Sequence, residues 1–128
     1  MDIKELIKAA KGASEHSYSP YSNYKVGAAL LTKSGKTYIG TNVENASFPA
    51  GVCAERVAIF DAIKKGDKNF EALAIYADGQ HYPYPCGICR QVMAEFSKDL
   101  KVIVARNEND YVEKTISELL PDMFEFDK

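Results

Sequence analysis

The sequence predicts an α/β fold, a three-layer α-β-α arrangement with a mixed, about five-stranded sheet between helices. Three observations carry this. Segments with helical spacing alternate with short apolar runs of strand length. The interior runs are nearly continuous in apolar residues, as strands covered on both faces are. Finally, 128 residues with 46% hydrophobic content are enough for one domain with a real core and too few for two, so a single domain over residues 1–128 is expected.

Asp2 followed by Glu5 reads as a capping box, and Ile3, Leu6, Ile7 and Ala10 recur at helical spacing, which predicts a first helix ending near Gly12. The stretch Tyr18 to Tyr24 is rich in turn residues and aromatics and reads as an ordered surface loop. Its aromatics either face a ligand or cover the core, and on composition the core reading leads. Lys25–Thr32 and Lys36–Asn42 are strand-like runs around Lys33-Ser34-Gly35, whose glycine suits a tight antiparallel hairpin. A helix is expected from Cys53 to Lys65, with Val57, Ala58, Ile59, Ala62 and Ile63 inward and Gly66 as its stop. Ala72–Ala77 reads as a buried strand. Pro83 and Pro85 bracket a loop into Cys86, and Ile88, Val92, Met93 and Phe96 mark the next helix. Val102–Val104 is a further buried strand, Tyr111–Thr115 an edge strand, and Ile116–Leu120 a closing helical turn.

Net charge is -2 with both signs interspersed, so no basic channel is expected to hold a polynucleotide, and small uncharged substrates fit better. No apolar run approaches the length of a membrane span. The N-terminus lacks the basic and then apolar run of a signal peptide, so a cytoplasmic protein is expected. Three cysteines cannot all pair with one another, and C-x-x-C with a distant third points to metal ligation in a reducing compartment.

Those cysteines lie in two pieces, Cys53-Ala54-Glu55-Arg56 and Pro85-Cys86-Gly87-Ile88-Cys89-Arg90. Each piece opens a predicted helix. Helix starts present unpaired N–H groups and partial positive charge, which favour thiolate over thiol. Three thiolates make a soft anionic site suited to Zn2+ and leave one position for water, the mark of a catalytic zinc. Glu55, two residues after Cys53, stands where a proton shuttle would be needed. Three thiolates and Zn2+ sum to a negative centre, which would weaken the metal's pull on that water. Arg56 is expected to draw density off sulfur, and Arg90 is a second candidate for the same duty.

Cys-x-Glu followed by Pro-Cys-x-x-Cys resembles the signature of zinc deaminases. Over nearly the whole chain the sequence is similar to cytidine deaminases of the small homotetrameric kind. The likeness rests on Tyr21–Ala29, Asn42-Val43-Glu44-Asn45-Ala46, the two cysteine motifs, and Leu119-Leu120-Pro121 followed by Phe124. It implies that Cys53, Cys86 and Cys89 hold zinc, that Glu55 moves protons during hydrolytic deamination at pyrimidine C4, and that Asn42 and Glu44 bind the ribose hydroxyls. It also implies a base contact from the backbone at Ala54, aromatic cover from Tyr24, Phe48 and Phe124, and a homotetramer whose subunits complete one another's sites. Tyr24 and Phe48 stand where many members carry phenylalanine and tyrosine respectively.

Two other readings share these residues. A deaminase of a related aminated pyrimidine nucleoside such as blasticidin S would keep the zinc site, and Asn42 and Glu44 argue against it. A structural zinc in an interaction module would need a fourth protein ligand, for which His81, five residues before Cys86, is the candidate.

Overall fold

Alternation along three central strands decides how the layers form. In β1 (Val26–Thr32), β3 (Phe70–Ala77) and β4 (Lys101–Asn107), successive side chains enter two separate cores. Ala28, Leu30, Leu73, Ile75, Val102 and Val104 face one side, while Ala29, Leu31, Ala72, Ala74, Tyr76, Ile103 and Ala105 face the other. A strand that is apolar on both faces needs a helical layer on each. The computed structural model, which describes residues 1–126, has both.

The sheet order is β2-β1-β3-β4-β5, with β2 at Thr37–Thr41 and β5 at Asp110–Thr115. β3 and β4 pair in parallel and the remaining neighbours are antiparallel, so the sheet is mixed and five-stranded as expected. One face is covered by α1 (Ile3–Ser14), which inserts Leu6, Ile7 and Ala10. The other is covered by α2 (Ala54–Lys64) and α3 (Gly87–Phe96), whose Ala58, Ile59, Ala62, Cys89 and Met93 share one core. A last short turn, α4 (Ile116–Leu119), follows β5.

Several boundaries differ from the sequence expectation. α1 continues through Gly12 to Ser14, because Ala13 and Ser14 are buried and tertiary packing outweighs the glycine. Asp2 accepts from the Glu5 backbone N–H at 2.8 Å, half of the expected box. The full reciprocal box belongs to Thr115 and Glu118 at the start of α4. β3, β4 and β5 also extend beyond their apolar centres, since backbone pairing carries the polar ends. The correction that bears on function concerns the loop before β1: Tyr18, Tyr21 and Tyr24 are exposed, not core cover.

One glycine sets the position of α2. A Cβ built on Gly40 would fall 2.4 Å from the Ala54 carbonyl oxygen and 2.5 Å from the Ala58 nitrogen. The start of α2 therefore rests directly on β2, and a side chain there would lift Cys53 and Glu55 away from the sheet.

Candidate active site

Cys53 is the N-cap residue of α2 and Cys86 that of α3; neither side chain caps its own helix. Extended backbone at each cap turns the thiol away from the helix axis, toward the other helix start. Cys89, one turn into α3, is fully buried and closes the group. The three sulfurs lie within 4.8 Å of one another, and Cys53 and Cys86 are 3.7 Å apart. Tetrahedral zinc at the usual Zn–S distance of about 2.3 Å would space its sulfurs by about 3.8 Å. The donor set therefore fits zinc both in chemistry and in spacing.

One of the three thiols, Cys53, is already biased toward the thiolate that a metal needs. A hydrogen bond from Cys89, with help from Arg56, pulls Cys53 down to about 5, while the same hydrogen bond and burial push Cys89 up. Among the described residues no other His, Cys, Asp or Glu joins this group. His81 is exposed and lies outside it, which removes the candidate fourth ligand of a structural site.

Glu55, in the first turn of α2, is only 4% exposed. Burial raises its carboxyl from the ordinary 4.5 to about 7, and the charge of Cys53 adds to that. A carboxyl that exchanges its proton near neutrality is suited to general acid–base work. Arg56 sits one residue on, with Nη2 3.7 Å from the Cys53 sulfur. Burial works against its charge, yet hydrogen bonds to Cys53 and Cys89 raise its pKa overall. Arg90 does not share that duty: its Nε donates to the Pro85 carbonyl at 2.7 Å and its Nη1 to the Leu119 carbonyl at 2.8 Å.

These groups form the floor of a cavity of about 640 Å³. Cys53, Ala54, Glu55, Arg56 and Cys86 line it from below. Tyr24, Asn42, Glu44 and Phe48 line its walls, so all of the expected contact residues except Phe124 face one space. The size suits a nucleoside-scale ligand.

The walls are held by hydrogen bonds the sequence did not disclose. Asn42 is 9% exposed; its Oδ1 accepts from Val26 N at 3.0 Å and Ser17 Oγ at 2.5 Å, and its Nδ2 donates to the Tyr24 carbonyl at 2.7 Å. Glu44 accepts from the backbone N–H groups of Tyr21 and Ser22 at 3.0 and 3.1 Å, and from the Ser22 hydroxyl. The Ser22 donors hold its carboxyl below the ordinary range. By inventory Asn42 keeps one amide N–H and Glu44 at least one lone pair, a donor and an acceptor side by side.

Tyr24 lines the cavity, and its phenol is raised first by the burial of its hydroxyl end and then by the charge of Glu55. Phe48 is 76% exposed at the rim and meets Tyr21 edge to face, with ring centres 6.0 Å apart. Phe124 is 69% exposed and does not line this chain's cavity. Pro83 and Tyr84 do line it and were missed. The two prolines bracketing the approach to Cys86 were the available signal.

Comparison with known proteins agrees with this geometry. The model of the cytidine and deoxycytidylate deaminase zinc-binding region matches residues 1–106. A cytidine deaminase of Halalkalibacterium halodurans is 48% identical over 97% of this chain and 95% of its own length. One from Sporosarcina psychrophila is 44% identical over 97% and 92%. The crystal structure of cytidine deaminase from Burkholderia pseudomallei superposes with a TM-score of 0.92 at 46% identity, covering 97% of this chain and all of that one. That from Mycobacterium tuberculosis superposes at 0.86 with 32% identity, covering 98% and 99%. A matched zinc-binding region and whole-length likeness in sequence and fold make this chain a member of the cytidine and deoxycytidylate deaminase family.

Proposed function

We propose that this chain, acting as a single domain, hydrolyses cytidine and deoxycytidine to uridine and deoxyuridine with release of ammonia, as a pyrimidine salvage enzyme of the cytoplasm. The observation that carries this is a buried carboxyl, Glu55, poised near neutrality between a metal-binding thiolate and a nucleoside-sized cavity.

Cys53, Cys86 and Cys89 would hold zinc, which lowers the pKa of water so that hydroxide is available at neutral pH. Glu55 takes the proton released as the nucleophile adds to pyrimidine C4 and delivers it to ring N3. The same carboxylate then takes the proton of the hydroxyl now on C4 and passes it to the exocyclic nitrogen, so that the C4–N bond breaks, ammonia leaves and the C4 carbonyl of the product forms. Burial serves both transfers, because a carboxyl near pKa 7 gives up and accepts protons at comparable cost. The N–H groups at the start of α2, around Ala54, face the base carbonyl oxygen. Asn42 and Glu44 take the sugar: the spare amide N–H meets one hydroxyl oxygen and the spare carboxylate lone pair accepts from the other. Arg56 offsets the charge of the thiolates.

Phe48 and Phe124 are large apolar side chains left in solvent, one at the rim and one away from the chain's own cavity. Both are accounted for by a homotetramer in which a neighbour's Phe124 covers the base. The test is ammonia release from cytidine, deoxycytidine, cytosine and blasticidin S by the zinc-loaded protein and by Glu55→Gln. Turnover of the two nucleosides alone, lost with Glu55, is expected. Preference for blasticidin S, or turnover independent of Glu55, would overturn the assignment.

A further inference from the structure

Arg90 follows the buried ligand Cys89 directly, yet its guanidinium makes no ion pair among the described residues and reaches backbone on two sides. One acceptor, the Pro85 carbonyl, belongs to the residue immediately before Cys86. The other, the Leu119 carbonyl, closes α4 and starts the segment that carries Phe124. The next residue, Gln91, donates from Nε2 to the Phe124 carbonyl at 3.2 Å. Two consecutive side chains of α3 thus grip the C-terminal segment, and the first of them also grips the turn that presents a metal ligand.

The choice of arginine has a physical reason. Nε and Nη1 leave one planar fork in fixed directions, so two carbonyls held by it are fixed relative to each other; lysine is a point charge on a flexible stem and imposes no such relation. Both acceptors are backbone, so the fork constrains chain position, not a side-chain rotamer. Pro85 has no N–H and a restricted φ, which leaves its carbonyl as the handle by which this turn can be held.

We propose that Arg90 is a positioning residue that locks the Pro85–Cys86 turn and the Phe124-bearing segment into one register, so that retention of the metal and placement of the aromatic tail are set together. The metal part follows from the donor set alone, and the tail part rests on the nucleoside reading above. Arg90 does not line the cavity, and both its hydrogen bonds go to backbone carbonyls. Groups that orient metal ligands from behind typically change metal affinity by about 10- to 100-fold when removed.

The experiment uses the zinc-loaded full chain and its Arg90→Gln, Arg90→Lys and Gln91→Ala variants, with Asp67→Asn as a stability control. Asp67 accepts from Thr32, Ser34 and Tyr38, none of which lines the cavity. Three readings are taken: zinc loss to excess chromogenic chelator, the thiolate-to-metal charge-transfer band after cobalt(II) substitution, and KM and kcat for cytidine. Arg90→Gln is expected to lose zinc about tenfold faster, with an altered cobalt band and a raised KM, and Arg90→Lys to recover only part of each. Gln91→Ala should raise KM and leave zinc loss unchanged, since it holds the tail alone. Zinc loss and KM at wild-type values in a folded Arg90→Gln would overturn the proposal. So would Asp67→Asn speeding zinc loss as much at the same drop in Tm, because Arg90 would then act only through global stability. The metal readings need no turnover, so a wrong substrate assignment leaves them interpretable.

Discussion

Glu44 lies in the wall and Glu55 in the floor of the same cavity, and their carboxyls are pushed in opposite directions. Glu44 ends a loop wall in which the Ser22 hydroxyl and two backbone N–H groups converge on its carboxylate, and these donors hold its carboxyl below the ordinary value. Glu55 starts a helix packed against the sheet, where burial dominates and the carboxyl rises to about 7. Identical side chains are thus given opposite acidities by surroundings alone, as the proposed roles of fixed acceptor and proton carrier require. The loop wall is rich in hydrogen-bond donors; the helix floor buries the Glu55 side chain and is lined by sulfur. On the function proposed above, binding and proton transfer would occupy separate regions.

The strongest way to break this contrast is at the floor. Glu55→Gln should lower kcat by at least about 10²- to 10⁴-fold, the range for a positioned general base, while zinc content stays that of the parent by metal analysis. The same substitution should stabilise the metal-free protein in a pH-dependent way. A carboxyl raised from 4.5 to about 7 is protonated in both folded and unfolded chains below the first value, and opposes folding once it must ionise while buried. Relative to Glu55→Gln, the parent should lose stability as pH rises through 4.5 to 7, by about 3 kcal/mol in all. Cys53, held as thiolate down to about 5, works in the opposite sense, and its repulsion of the Glu55 carboxylate is part of the measured difference. Denaturant titrations at pH 4.5 and 8 measure it, and equal gaps at both values would refute the burial account of Glu55.

At the loop wall the expected effect is smaller and of another kind. Glu44→Gln should raise KM about tenfold, as for loss of one charge-assisted hydrogen bond, with kcat changed less. Because Glu44 stays ionised where Glu55 titrates, the acid limb of the kcat profile should not move; a moved limb would assign proton transfer to the wrong wall. Arg56→Ala should keep zinc and raise the pKa seen in that limb, since the sulfurs lose their cationic neighbour, and an unshifted limb counts against this role. Smallest is His81→Ala, expected to leave zinc content and activity unchanged, as an exposed histidine outside the donor group should.

The layers were legible because apolar runs covered on both faces leave only one arrangement, and the alternation in β1, β3 and β4 bears that out. The metal donors were legible because C-x-x-C and a third cysteine each begin a helix. Legibility failed where one side chain answers to a distant one. Tyr21 and Tyr24 read as core cover on composition, yet Glu44 and Asn42 hold their loop open at the cavity. Arg90 read as a neighbour of sulfur because it adjoins Cys89 in sequence; its direction on α3 takes it to Pro85 and Leu119 instead.

The linear chain alone determined the inventory: three thiols at two helix starts, a carboxyl two residues from one of them, and strands long and apolar enough to need helices on either side. Only folding decided what those groups became. Sulfurs from Cys53 and Cys86 meet because α2 rests on Gly40 and α3 is brought alongside it by the crossover between two parallel strands. Glu55 loses its water, and Glu44 gains its donors, through contacts with residues far away along the backbone. Acidity follows from solvent and neighbours, which are properties of the packed molecule and not of any local stretch of sequence.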